Sequence, residues 1–245
     1  MKSKIIHSTW PFIIVCAIAN LITGCATTDD PSATKTTSGT RAAPIPSKYR
    51  ATDGRNVEIG KSYPSEGGLS FKDPHLDKCW VAQDFKFSGY DTLYIAPTMS
   101  TAKFHDDERA PHDIAKANLP VELSRVIDSK GLFPSIALKE SDIKPGGRVL
   151  RLENTITEYS KGGGAARFFV GLYGGGQPVL RVLGKMTDGD KTVFSFEGRR
   201  SGVSAAARLG GGTLRDEDIQ IDDIRSLALD LSDFMAAVAG KYEPR

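Results

Sequence analysis

Cysteine is scarce, with three in 245 residues, too few for the disulfide framework of a small secreted scaffold. A dominant charge is missing too. Thirty-two Lys and Arg stand against 30 Asp and Glu, a formal net charge of +2, and the pI is near 8.3. That excludes a strongly basic nucleic-acid binder. There is no long hydrophobic run: the uninterrupted apolar stretch Pro11–Ala19 falls far short of the ~20 residues of a spanning helix. No Gly-x-Ser-x-Gly elbow occurs and no internal repeat is evident. What is present is ordinary globular composition, 40% hydrophobic and 25% charged, with 8% aromatics that argue against a wholly disordered chain. The length suits one or two domains.

The first 24 residues read as an export signal. Lys2 and Lys4 supply a positive start, the apolar stretch comes next, and Leu21-Ile22-Thr23-Gly24-Cys25-Ala26 closes it with small residues. That ending resembles the lipobox of bacterial lipoproteins. The resemblance implies cleavage between Gly24 and Cys25 and acylation of Cys25; an ordinary cleaved signal, or a short anchor with a chance cysteine, is the alternative. Each buried methylene contributes ~0.8 kcal/mol, so several chains anchor stably where one is marginal. Ala26, rather than Asp, after the cysteine implies by the same resemblance the outer membrane of a Gram-negative bacterium, facing the periplasm.

Residues 25–70 are expected to form a lipid-anchored flexible tether. The run Ala26–Thr40 is polar and small, and Arg41–Pro46 is extended by its prolines. Such a segment buries too little surface to offset its ordering entropy, although part of 47–70 can dock on the globular part of the chain. Residues 71–245 are expected to form one α+β domain. Alternation predicts strands at Thr92–Pro97, Phe133–Leu138, Arg148–Tyr159, Pro178–Thr187 and Thr192–Glu197, with a possible extra one near Cys79–Phe87. Asp188-Gly189 signals a hairpin turn. Three- and four-residue spacing predicts a helix over about Pro111–Ser129, through Ile114, Leu119, Leu123, Val126 and Ile127, interrupted or kinked at Pro120. A second, better helix carries Ile224, Leu227, Leu231, Phe234, Met235 and Val238, with acids at its start and Gly240 at its end. The expected architecture is a two-layer sandwich: a mostly antiparallel sheet of about four to five strands, packed by two helices.

Three stretches carry a family resemblance: the opening strand Tyr90–Pro97, the glycine-rich Gly162–Gly171, and the strand–turn–strand through Asp188-Gly189 to Phe194. On these, residues 75–240 resemble the bacterial lipoproteins grouped as DUF4410, with DUF3313 close behind. The resemblance implies a domain distantly related to that of curli-secretion-channel lipoproteins and the N-terminal domain of TolB. It brings no catalytic residues. The long membrane-inserting hairpins of the secretion channel have no room here, which argues against a pore.

Gly162–Gly176 holds seven glycines, but within it none is followed by Lys and then Ser or Thr, as a phosphate-binding loop requires. Between the glycines lie Phe168, Phe169 and Tyr173, with Arg167 the lone charge. An apolar glycine-rich connection packs on its own domain, on a partner or on membrane rather than lying naked in water. Gly162, Gly163, Gly164, Arg167, Phe168, Phe169, Gly171 and Tyr173 are therefore the candidate interaction loop, and the small-residue stretch Ser204–Thr213 is a candidate neighbour. Cys79 lacks the pattern of a cysteine hydrolase and reads as a single thiol. His105 and His112, in an acidic run before the first helix, are weak candidates for metal; acids there also serve as helix caps.

The expectation is a non-enzymatic, outer-membrane-anchored lipoprotein without cofactor. Its partners would be the membrane, through the lipid, and an envelope protein or a second copy of itself, and not nucleic acid. The alternatives are a periplasmic enzyme acting on cell wall or lipid, for which Glu153, Glu158 and Asp188 are the acids to inspect, or a small-ligand or metal binder. Removing residues 1–24 leaves 30 basic and 30 acidic side chains. The net charge of the whole sequence belongs to the export signal, so the basic pI gives no reason to expect attraction to nucleic acid or acidic lipid.

Overall fold

A computed structural model describes residues 45–162, 178–201 and 216–245, with only the backbone of 216–219. All lie in one unit, Ala43–Arg245. No described helix is long and apolar enough to cross a membrane.

The strong alternations become the long central strands. β9 (Val149–Ser160) turns Leu150, Leu152, Asn154 and Ile156 inward, and β10 (Val179–Asp188) does the same with Leu180, Val182, Gly184 and Met186. β11 (Lys191–Arg200) adds Phe194 and Phe196. β10 and β11 pair antiparallel across a two-residue turn, where Gly189 has the positive φ (58°) that the Asp-Gly signal predicts.

The remaining strands are short: β1 (Lys48–Arg50), β2 (Asn56–Glu58), β3 (Lys61–Ser65), β4 (Gly68–Lys72), β5 (Lys78–Ala82), β6 (Thr92–Ile95), β7 (Met99–Ser100), β8 (Ser135–Ala137) and β12 (Glu243–Pro244). The main sheet runs β3-β4-β5-β11-β10-β9-β6-β8, with β7 also on β9, and a second sheet runs β12-β1-β2. Pairing is antiparallel except around β6, which is parallel to both β8 and β9, and at β7. The sheet is thus nine-stranded, larger than the four to five strands expected. Residues 48–72, at the end of the expected tether, supply four strands of three to five residues. Runs this short, broken by Pro64 and rich in Lys and Ser, carry too little alternation to register as strands.

α1 (Arg109–Ser129) and α2 (Asp216–Val238) pack side by side. Their apolar stripes share one core cluster with the inward residues of β6, β9, β10 and β11. This is the expected two-layer α+β sandwich. α2 buries Ile224, Leu227, Leu231, Phe234 and Met235 as their spacing predicts. In α1 the buried stripe is His112, Ala115, Leu119, Leu123, Val126 and Ile127, whereas Ile114 is 42% exposed. Five residues separate Ile114 from Leu119, which places it well round the helix from that stripe. α1 continues through Pro120.

Asp233 of α2 ties the ends of the unit together. Its carboxylate accepts from Lys130 Nζ at the end of α1 (2.6 Å), from the Tyr242 hydroxyl (2.6 Å) and from Arg55 (3.1 Å) in the turn between β1 and β2.

Candidate functional site

β9 and β10 pair to their ends, with Ser160 opposite Val179, and Leu180 next pairs with both Tyr159 and Arg200. β9 therefore ends, and β10 begins, at the same end of the sheet, on either side of residues 163–177. The 202–215 connection, which holds Ser204–Thr213, leaves from the same end of the sheet. Ser160, Val179 and Arg200, the strand ends that flank the two glycine-containing segments, thus share one rim.

That rim is clamped by the acidic run before α1. Asp106–Glu108 forms a single 3-10 turn, and Glu108 is 6% exposed. Its Oε1 accepts the Lys161 amide (2.9 Å) and the Ser160 hydroxyl (3.1 Å), while Oε2 accepts the His105 amide (2.9 Å). Burial pushes the Glu108 carboxyl up, and these donors outweigh it, holding it below the ordinary carboxylate range. Beside it, the Lys161 ammonium donates to Asp107 at 2.5 Å and keeps that carboxyl low as well. Gly162 comes next with φ of 74°, a left-handed turn that suits glycine.

Behind the clamp His112 is 3% exposed. Its ring stacks on Phe104 (centroids 4.2 Å apart) and meets Tyr159 edge-on (5.1 Å). Nε2 lies 2.8 Å from Ser100 Oγ and Nδ1 lies 3.1 Å from Asp113 Oδ1. The connectivity is that of a Ser-His-Asp relay, yet Ser100 Oγ also bonds the Ile156 carbonyl (3.3 Å) and the Ala102 amide (3.3 Å). The cluster bolts β7 to α1. Tyr159 in turn donates to Gln220 of α2 at 2.7 Å. The two weak metal candidates thus play different parts, His105 giving its amide to Glu108 and His112 packing in the core. Among the described residues no group of three or more His, Cys, Asp or Glu is placed to hold a metal.

Cys25 and Gly24, and Gly163, Gly164, Arg167, Phe168, Phe169, Gly171 and Tyr173 of the loop, lie outside the described residues; Gly162 alone is within them. Ser160 is not among the sequence candidates, and Glu108 enters there only as part of the acidic run beside His105 and His112. The signal for Glu108 is its place three residues after His105, the spacing of a capping box.

The three strand acids are separate from one another. On the sheet face away from the helices, Glu153 pairs with Lys185 and Arg151, both at 3.0 Å. Glu158 meets Arg181 and Arg199, both at 3.5 Å. Asp188 lies at the opposite end of the sheet, bonded to Arg148 (2.5 Å) and the Tyr90 hydroxyl (3.1 Å) beside a cleft of about 310 Å³. The Arg148 guanidinium holds Asp188 low, and Lys185 does the same for Glu153. Both therefore stay ionised at neutral pH and are poor proton donors. Cys79 is buried on β5, and burial drives its thiol well above the ordinary value.

No family model matches the chain, and no curated protein matches it. Among solved structures, the chain is similar to the PelC dodecamer from Paraburkholderia phytofirmans (14% identity, TM-score 0.37, covering 58% of this chain and 88% of that one). It is also similar to a DUF330 protein from Xanthomonas campestris (9%, TM-score 0.35, 66% and 91%). A third similarity is to a neuraminyllactose-binding hemagglutinin homolog from Helicobacter pylori (8%, TM-score 0.33, 76% and 94%).

Proposed function

We propose that this chain is a bacterial lipoprotein of DUF4410-like type, lipidated at Cys25 and held on the outer membrane facing the periplasm. Its domain acts as a non-enzymatic module that binds another envelope component, or a second copy of itself, through the glycine-rich hairpin. The observation that carries this reading is the shared rim: two small-residue connections leave one sheet end, and the buried Glu108 carboxylate fixes where the hairpin starts. A fixed starting point for a segment whose sequence is apolar and glycine-rich suits close backbone approach to a partner. The separation of Glu153, Glu158 and Asp188, each tied to its own cations, supports a non-enzymatic role.

The test is cross-linking in intact cells, followed by light scattering of the full chain purified in detergent. A discrete oligomer, or one envelope protein recovered repeatedly, is expected. Phe168→Asp with Phe169→Asp should abolish it while the circular dichroism spectrum and unfolding midpoint hold. Monomer alone, with no co-purified envelope protein, overturns the reading. Palmitate labelling that survives Cys25→Ser overturns the lipidation site.

A further inference from the structure

We propose that a groove between α1 and the C-terminal ends of the parallel strands β6 and β8 binds a dipeptide-sized ligand with apolar side chains. Its position is where open sheets with parallel strands tend to take ligands, beyond the strands' carboxyl ends. Its volume is about 510 Å³, within the ~300–1,000 Å³ of small-ligand sites. Ile95 and Leu138, at the strand ends, and Ala117 and Val121 of α1 make the walls apolar. Val121 is 50% exposed, as an unfilled wall would be.

Four polar groups border this apolar surface. Thr98 lines the groove and is 2% exposed, and its hydroxyl has no hydrogen-bond partner. A partnerless buried hydroxyl is costly, and a ligand that bonds it relieves that cost. Pro120, also in the lining, has no N–H to give the Lys116 carbonyl one helical turn earlier. That carbonyl is an acceptor without its normal donor. The Lys116 ammonium has no carboxylate partner among the described residues. Asp113 has one oxygen on His112 and is otherwise exposed.

Two donors and two acceptors around an apolar floor match a bipolar ligand rather than a simple anion or cation. Spacing sets its size. Asp113 and Lys116 are i,i+3 neighbours, with Cβ atoms about 5–6 Å apart. The charged ends of an extended dipeptide are about 6–7 Å apart at ~3.3–3.6 Å per residue. A free amino acid carries both charges on one carbon and matches that spacing less well.

The probe is leucyl-leucine, added to the full chain in detergent with methyl-labelled side chains and followed by NMR. Saturable shifts of the Thr98, Ala117 and Leu138 methyls are expected. N-acetyl-leucyl-leucine and free leucine should each bind at least about tenfold more weakly. Thr98→Val removes the hydroxyl at constant shape, and Pro120→Ala restores the donor to the Lys116 carbonyl. Both should remain folded and weaken binding about fivefold or more. No shift at dipeptide concentrations up to about 10 mM overturns the proposal. So does octanoate binding as tightly as the dipeptide, or affinity unchanged in both variants.

Discussion

The Glu108 carboxylate accepts the backbone amide of Lys161, 53 residues further along the chain, at 2.9 Å. One buried acid thus joins the entry to the first helix and the exit of the longest strand. The acidic run before the helix acts as a fastener. Its residues divide the work: Glu108 takes the backbone, and Asp107 takes the Lys161 ammonium.

Glu108→Gln should loosen that fastening. The variant keeps the shape but loses the charge that three donors address, and hydrogen bonds to charged groups contribute about 1.5–3 kcal/mol each. A net loss of roughly 2 kcal/mol in urea unfolding is expected, with faster hydrogen exchange at the Lys161 amide. The pH dependence is set by the sign of the shift. The Glu108 carboxyl is depressed in the folded state, so its contribution is present above the unfolded value of about 4.3 and fades as pH falls through the lower folded value. The wild type should lose stability in that acid range faster than Glu108→Gln. Parallel profiles would remove Glu108 from this role.

Asp233→Ala should cost more. It strands the Lys130 ammonium, 13% exposed, leaves the Tyr242 hydroxyl without its acceptor, and leaves Arg55 with Asp53 alone. Breaking a buried pair from one side typically costs about 3–5 kcal/mol. The pair replaced from both sides, Asp233→Leu with Lys130→Met, should recover much of the loss. Because Tyr242 and Arg55 belong to opposite ends of the unit, limited proteolysis of Asp233→Ala should cut first near residues 50–56 or 240–245. Resistance equal to wild type would show that the ends hold without it.

The periodic parts of this fold are legible in the sequence and the pairwise parts are not. Leu150, Leu152 and Ile156 announce a strand, Leu227, Leu231 and Phe234 a helix, and Asp188-Gly189 a turn, because each signal lies within a few neighbouring residues. β3 leaves no such mark, because Lys61–Ser65 contains Pro64 and exposes nearly every side chain. Its place in the sheet comes from pairing with β4, not from its own pattern. At the candidate rim, the glycines of 162–176 stand out in the sequence. The partnership of Glu108 with Ser160 and Lys161 does not, since a side chain meeting distant backbone leaves no spacing to count.

Cys79 should be inert in the folded domain. It sits 2% exposed on β5, opposite Phe196, and burial holds its thiol protonated. The thiolate is the reactive form. Iodoacetamide at pH 8 should leave the Cys79 peptide unmodified in native buffer and label it fully in urea, as read by mass spectrometry. Labelling in native buffer at the rate of an exposed thiol would contradict the packing of β5 against β11.

Gly184 is where the sheet leaves room for an aromatic ring. A Cβ there would lie 2.0 Å from the Phe196 ring, which occupies the space a side chain on β10 would fill; the two residues are directly paired across β10 and β11. Gly184→Ala should therefore destabilise by about 1–3 kcal/mol through overpacking. Phe194, 0% exposed and in contact with Phe196 at 6.3 Å between ring centroids, limits how far that ring can retreat. Gly184→Ala with Phe196→Leu frees the space, so the double variant should cost less than the sum of the two single changes, a coupling that thermodynamic cycles measure directly. Gly189→Ala is the contrasting case. Nothing lies within 4 Å of its Cβ position, so its cost is the left-handed backbone alone, about 1–2 kcal/mol, and no change at Phe196 should relieve it. Additive costs at Gly184 and Phe196 would mean that the ring does not depend on the missing side chain.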